Sequence, residues 1–403
     1  MKILVTNGAY KHTLALVRSL GAAGHEVGVV AHRRAVVSFF SRYCRHKHII
    51  DTTDKQLFVD AILAILQKEN YDIVLPVGLS TIVWLAERGD EIRQFTHLPI
   101  AEFDKITLFE SKKATYDLSV KLNIPTPLSF FPKDRTDADI CAAQLKPPIV
   151  VKHCTRSGRD WLKYAQTADE AVWLFEAMRQ LAIEKNVRET FEVSLTWENT
   201  QNTEGGTILL QEYLSGGGYG FFGLYDKGIF KQGFAHKRIR EFPVSGGASA
   251  CAESIEDETL TVLGRRILDA VSWHGLAMVE FKKDEAGQFR LLEVNPKLWG
   301  SFDLSVASGV PFAEKWVQLA LNQSIEPHQD YEKGIQFSWL MEGDVQHGWE
   351  TGELEKILRA VIFDKKTHTN LTWRDPLASL FLIFSGFKTR VLFFERAESK
   401  CVA

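Results

Sequence analysis

Two acidic residues interrupt otherwise apolar runs on either side of a tight turn near position 285, in the segment AMVEFKKDEAGQFRLLEVNPKLWGS. A turn centred between Ala286 and Gly287 sets Glu280 opposite Glu293, and Asn295 shares their face because side chains alternate along a strand. Directly opposed carboxylates repel by roughly 0.2–1 kcal/mol. A chain with this hairpin therefore folds either with that face in solvent or with a cation between the acids. Oxygen donors of this kind suit Mg²⁺ or Mn²⁺, which keep several waters and bridge to phosphates instead of filling an all-protein cage. The hairpin points to a nucleotide.

The first hundred residues alternate strand and helix: KILVTN, a helix from about Thr13 to Ala23, EVGVVAH, a helix from about Lys55 to Glu69, DIVLPVG and TIVWLAERGDEI. That rhythm predicts a parallel sheet covered by helices. Gly8 stands alone after the first strand, so the GxGxxG dinucleotide fingerprint is missing. Pro125 and Pro127 end a helix that carries Lys112 and Lys113 and mark a boundary. Beyond it come the strand PPIVVKHC, the loop TRSGRDW, a helix from about Ala168 to Lys185, the strand TILLQEYL, a glycine cluster and a run of long strands.

Four further features bear on chemistry. Lys152 ends an apolar strand (Ile149, Val150, Val151), where a lysine needs a partner such as phosphate. The loop after it offers hydroxyls, two arginines, Ser157 and Gly158, but no Walker pattern. Gln211, Glu212, Tyr213 and Leu214 close a strand just before glycines, a place where backbone groups can read an adenine edge. In HKRIREF, Arg238 and Arg240 alternate with other residues, which predicts one shared strand face suited to clamping a carboxylate or γ-phosphate.

Taken in order, these elements resemble the ATP-grasp superfamily, in particular its predicted carboxylate-amine ligase group, over about residues 1–325. The resemblance implies an α/β fold: a Rossmann-like preATP-grasp domain (1–105), a two-lobed ATP-grasp domain (106–325) with a lid at about 127–206, and a small C-terminal segment (326–403). It implies that Lys112, Lys152, Ser157 and Gly158 contact ATP phosphates, that Gln211, Glu212, Tyr213 and Leu214 hold the adenine, and that Glu280, Glu293 and Asn295 bind Mg²⁺ (or Mn²⁺). Arg238, Arg240 and Lys297 are the candidates for stabilising an acyl phosphate. The sequence departs from better-known members at Gly218, which stands where a ribose-binding acid is usual, and at Met278, which stands where an arginine is.

The expected function is an ATP-dependent ligase that joins a small-molecule carboxylate to an amine through an acyl phosphate and releases ADP and phosphate. The alternatives are a phosphotransferase or a non-catalytic ATP-binding module. With 48 basic against 51 acidic side chains, the net charge of −3 gives no reason to expect nucleic acid. Five scattered cysteines without CxxC spacing argue against zinc and a disulfide scaffold and fit a cytoplasmic protein. The N-terminus enters directly into a strand, with no secretory leader pattern. The apolar run 377–387 is too short to span a bilayer; it predicts a buried helix, with peripheral membrane contact as the lesser alternative.

Overall fold

The computed structural model describes residues 1–156, 159–192, 207–244, 246–327 and 330–386. The protein is mixed α/β and divides into two compact units, one comprising residues 1–106, 219–278 and 295–403, the other residues 107–218 and 279–294.

In the first unit, β1 (Lys2–Val5), β2 (Glu26–Ala31), β3 (Cys44–Ile49) and β4 (Ile73–Leu75) form a parallel sheet in the order β3-β2-β1-β4. Ile3, Leu4 and Val5 have no exposed surface, as a parallel strand covered on both faces requires. Asp54 starts the helix Lys55–Glu69 by accepting the Leu57 N–H, and Asn70 ends it in the left-handed region. Asn7 joins two loops above this sheet: its Oδ1 accepts the Gly78 N–H at 2.8 Å.

A mainly antiparallel sheet makes the rest of this unit. In it β9 (Gly218–Asp226), β10 (Ile229–Phe242) and β11 (Ala248–Ile255) pair in succession, β14 (Gln336–Ser338) pairs with β11, and β15 (Thr367–Thr369) runs parallel to β14. The pairing of β10 with β11 slips twice, between Arg238 and Arg240 and between Arg240 and Glu241. These bulges break the alternation that predicts a common face for Arg238 and Arg240, and the two guanidinium groups go to different partners.

The second unit is built on an antiparallel sheet ordered β5-β8-β6-β7, with β5 at Ser129–Phe130, β6 at Ile149–His153, β7 at Leu162–Ala165 and β8 at Ile208–Glu212. Helices Arg135–Ala142 and Ala168–Glu192 supply Ala138, Ala142, Phe175 and Met178 to a core that also takes Ile149, Val151, Ile208 and Leu210. One face of the sheet is thus consumed, and the residues between these face the other way.

The distal part of the acidic hairpin belongs to this unit. It is formed by β12 (Gly275–Lys283) and β13 (Phe289–Asn295). Its turn is centred on Ala286, not between Ala286 and Gly287: the Asp284 N–H donates to the Gln288 carbonyl at 2.9 Å and the Gly287 N–H to the Asp284 carbonyl at 3.0 Å. Gly287 at φ +78° supplies the left-handed residue that such a three-residue loop needs. Counted from that turn, Glu280 would meet Leu292. Along β13, Phe289, Leu291 and Val294 are buried while Leu292 and Glu293 are both half-buried, so burial does not alternate strictly, and Glu293 and Glu280 both act on Lys152. Gly216 approaches the hairpin closely: a Cβ there would lie 2.2 Å from the Lys283 carbonyl oxygen.

Residues 376–386 are helical, but this helix is not simply buried as its composition predicts: Ala378 and Leu382 are buried, whereas Leu377, Leu380 and Phe384 are exposed. Among the described residues no helix is long and apolar enough to cross a membrane. Cys44, Cys141, Cys154 and Cys251 are free, buried thiols, and Phe387 and Cys401 lie outside the described residues.

Candidate active site

Lys152 follows Val151 on β6, and since Val151 points into the core, Lys152 points to the opposite face. Across the sheet it is paired with Leu209, Val150 with Gln211, and Gln211 in turn with Ser129. Lys152, Leu209, Gln211 and Ser129 line a cleft on that face. Lys112 and Tyr116 from the helix Lys112–Lys121, Thr126 and Phe131 from the segment after it, and Leu291 and Leu292 from the hairpin complete the walls. The Leu291 N–H donates to the Pro125 carbonyl at 2.8 Å, tying the hairpin to that segment.

The charges of the cleft are coupled. Burial, reinforced by the neighbouring Lys112, lowers the Lys152 pKa from 10.5 to about 8, against the opposing pull of Glu293 and Glu280. Lys112 Nζ lies 4.0 Å from Glu293 Oε2. Both predicted lysines and both predicted acids thus act on one another within a single unit.

Lys112 is the first residue of its helix, which Ser111 caps by accepting the Ala114 N–H at 3.2 Å. Its own N–H donates to the Cys154 carbonyl at 2.9 Å, and its ammonium reaches the Arg156 carbonyl at 3.3 Å. The lysine is therefore fastened to the loop that follows Lys152. His153 organises that loop from below. Its Nδ1 accepts N–H bonds from Thr155 and Arg156, both at 3.2 Å. Burial, with Arg156 and Lys112 nearby, pulls its pKa to about 4, so the ring is neutral and carries its proton on Nε2. The ring meets Trp161 edge-on at 5.0 Å, and the Arg156 guanidinium lies 4.9 Å over the same indole. Ser157 and Gly158 lie outside the described residues.

Of the four residues expected along the adenine, Gln211 lines the cleft, buried, with its Nε2 donating to Ser129 Oγ at 2.7 Å. Glu212 pairs with Leu128 twice, donating its N–H to the carbonyl at 2.9 Å and accepting the Leu128 N–H at 3.1 Å. Tyr213 meets Tyr164 edge-on at 5.8 Å, and the Leu214 carbonyl accepts from the Lys282 ammonium at 3.2 Å.

Asn295, Arg238, Arg240 and Lys297 belong to the first unit. Arg240 is bound in bidentate fashion to the fully buried Asp344, at 2.6 and 2.8 Å, and Ser338 donates to the same carboxylate. Its guanidinium has a structural employment there. Arg238 reaches Glu241 and the Gly247 carbonyl, each at 3.3 Å. Lys297 lines a separate apolar cavity with Pro76, Trp273 and Trp316, and together with Lys11 it helps burial hold His12 at a pKa of about 3.

Sequence reasoning missed Tyr116, Thr126, Ser129, Phe131, Leu209, Leu291 and Leu292. Alternation from Gln211 back to Leu209 carried a signal for one of them. The others depend on packing that no local pattern records.

Residues 206–342 match the family model described as "ATP-grasp in the biosynthetic pathway with Ter operon". No curated protein matches the chain by sequence. The biotin carboxylase domain of Hydrogenobacter thermophilus 2-oxoglutarate carboxylase, in complex with MgADP, ADP and bicarbonate, shares its fold at a TM-score of 0.65 and 15% identity, over 83% of this chain and 73% of that one. The biotin carboxylase–βγ-ATP complex from Campylobacter jejuni gives 0.64 at 14% identity, over 83% and 74%. N5-carboxyaminoimidazole synthetase from Staphylococcus aureus, complexed with ADP, gives 0.65 at 13% identity, over 87% and 86%. The chain thus shares the fold of these enzymes, and its residues 206–342 match an ATP-grasp family model.

Proposed function

We propose that this protein is an ATP-dependent ligase that activates a small-molecule carboxylate by in-line transfer of the γ-phosphoryl group and joins the resulting acyl phosphate to an amine, releasing ADP and phosphate. The observation that carries this reading is a cleft lined by Lys112 and Lys152 with Tyr116, Phe131, Leu209, Leu291 and Leu292, whose Lys152 is coupled to Glu293 and Glu280. A buried lysine beside another lysine is costly without an anion. A polyphosphate relieves that cost, and the apolar walls with Gln211 suit an adenine, held along Gln211 to Leu214.

The acids fit a divalent ion. Glu293 is half-buried, both carboxylates act on the same lysine, and their hard oxygens, with Asn295 at the end of β13, are the donor type that Mg²⁺ or Mn²⁺ takes. A metal held by these residues would supply positive charge to offset the negative charge of the terminal phosphates. Lys112 and Lys152 hold the phosphoryl oxygens while charge builds on the transferred group. His153 keeps their loop in place. Arg238 and Lys297 are proposed to steady the acyl phosphate, a part that Arg240, already paired with Asp344, is poorly placed to play.

Calorimetric titration of MgATP into the protein tests the site. The reading requires binding that weakens in Lys152→Ala and loses its Mg²⁺ dependence in Glu280→Gln. Trapping with hydroxylamine then separates a ligase, which yields a hydroxamate from the acid, from a hydroxyl kinase, which does not.

A further inference from the structure

The helix at 376–386 has no charged residue and is apolar on opposite sides. Its inner side packs Ala378 and Leu382 with Leu14 and Val37. Its outer side carries Leu377, Leu380 and Phe384, spaced three and four apart and therefore on one stripe, at 63%, 48% and 70% exposure. Trp373, in the turn just before the helix, is 96% exposed. A helix on a protein surface ordinarily turns polar residues outward. This one does the reverse.

The rim of the stripe is basic. Phe40 is exposed and stacks on Phe381 of the helix at 4.7 Å, which brings the segment 32–50 to its side. That segment holds five basic residues and no acidic one. Arg33, Arg34 and Arg42 are exposed, and the Arg42 guanidinium donates to the carbonyl of Arg374, itself exposed. The one acid between 366 and 394, Asp375, is buried and consumed by Arg18, Ser41 and the Arg42 N–H. In a chain with a net charge of −3, the exposed Arg42 and Arg374 bring positive charge beside this stripe.

From this arrangement we infer that the outer side of the helix 376–386, with its arginine rim, is a docking surface for an anionic lipid membrane. Leucine and phenylalanine enter the acyl boundary, Trp373 sits at headgroup depth, and the arginines meet lipid phosphates. The helix lies in the interface and does not span it, in keeping with its length. An apolar protein partner would use the stripe but would leave an arginine rim without anions to face.

Flotation of the full chain with vesicles tests this, using phosphatidylcholine alone and phosphatidylcholine mixed with phosphatidylserine. The protein should float with the anionic vesicles only, and less as salt is raised. Leu380→Ser/Phe384→Ser and, separately, Arg42→Glu/Arg374→Glu should each weaken that binding at least about 10-fold, with the melting temperature unchanged. Absence of flotation with anionic vesicles, or equal flotation of either variant, overturns the inference. So does a concentration-dependent dimer that Leu380→Ser/Phe384→Ser dissociates while vesicle binding persists, since the stripe would then seat a second copy.

Discussion

The Lys112 ammonium and the Glu293 carboxylate stand 4.0 Å apart, and both bear on the pKa of Lys152. Glu293→Gln keeps the shape of the side chain and removes its charge, so it withdraws a proposed metal ligand and leaves two lysines less well compensated. Mg²⁺-dependent ADP release should fall by roughly 100-fold or more. A titration of turnover against Mg²⁺ checks this, and wild-type turnover at ordinary Mg²⁺ would contradict it.

Lys152 gives a pH dependence with a definite sign. Its pKa of about 8 in the free protein means that the ammonium loses its proton as pH rises through that value. Phosphate needs the charged form, so ATP affinity should fall above about pH 8, and binding there should take up a proton. Calorimetry in buffers of different ionisation enthalpy reads that proton directly. Lys152→Met should lose the effect along with most ATP affinity, while unfolding at the same or a higher temperature, because the variant no longer buries a cation.

His153 holds the loop after Lys152, proposed to meet the phosphates, by accepting its Thr155 and Arg156 N–H groups. His153→Phe preserves the ring against Trp161 but strands the Thr155 and Arg156 N–H groups, at a cost of roughly 1–3 kcal/mol. The KM for ATP should rise by several-fold with a smaller change in kcat. In the wild type the unfolded chain takes up a proton near pH 6.5 that the folded ring refuses until about 4, so stability is lost as pH falls through that window. The slope of melting temperature against pH should flatten in the variant.

Arg240 and Asp344 predict a stability effect. Asp344→Ala leaves a buried guanidinium without its partner and should cost about 3–5 kcal/mol in denaturant unfolding. Arg240→Lys should also destabilise, since one ammonium cannot replace two parallel bonds. Equal stability of both variants with abolished phosphoryl transfer would return Arg240 to the reaction.

Much of this fold was legible because its signals are local. The fully buried β1 and the helix Lys55–Glu69, with Asp54 at its start, follow from apolar patterning and capping chemistry. Lys152 was legible as an isolated cation at a strand end, and Lys112 through the family resemblance, although it starts a helix instead of lying inside one. What escaped was set by irregularity and by long-range packing. The turn centred on Ala286 and the consecutive half-buried Leu292 and Glu293 both depart from regular alternation, yet Glu280 and Glu293 both act on Lys152. Bulges around Arg240 separated two arginines that period-two counting joins, and Asp344, about a hundred positions away, took one of them.

The central claim is that ATP is cleaved at its terminal phosphate to activate a carboxylate. Phosphorus NMR of the nucleotide products tests it most directly, on the protein turning over MgATP with a carboxylate and amine pair found by screening for nucleotide release. Lysines and acids gathered on the terminal phosphates predict ADP and inorganic phosphate in step with the amide. AMP and pyrophosphate as the stoichiometric products would contradict the account, even if Lys152, Glu280 and Glu293 all proved essential.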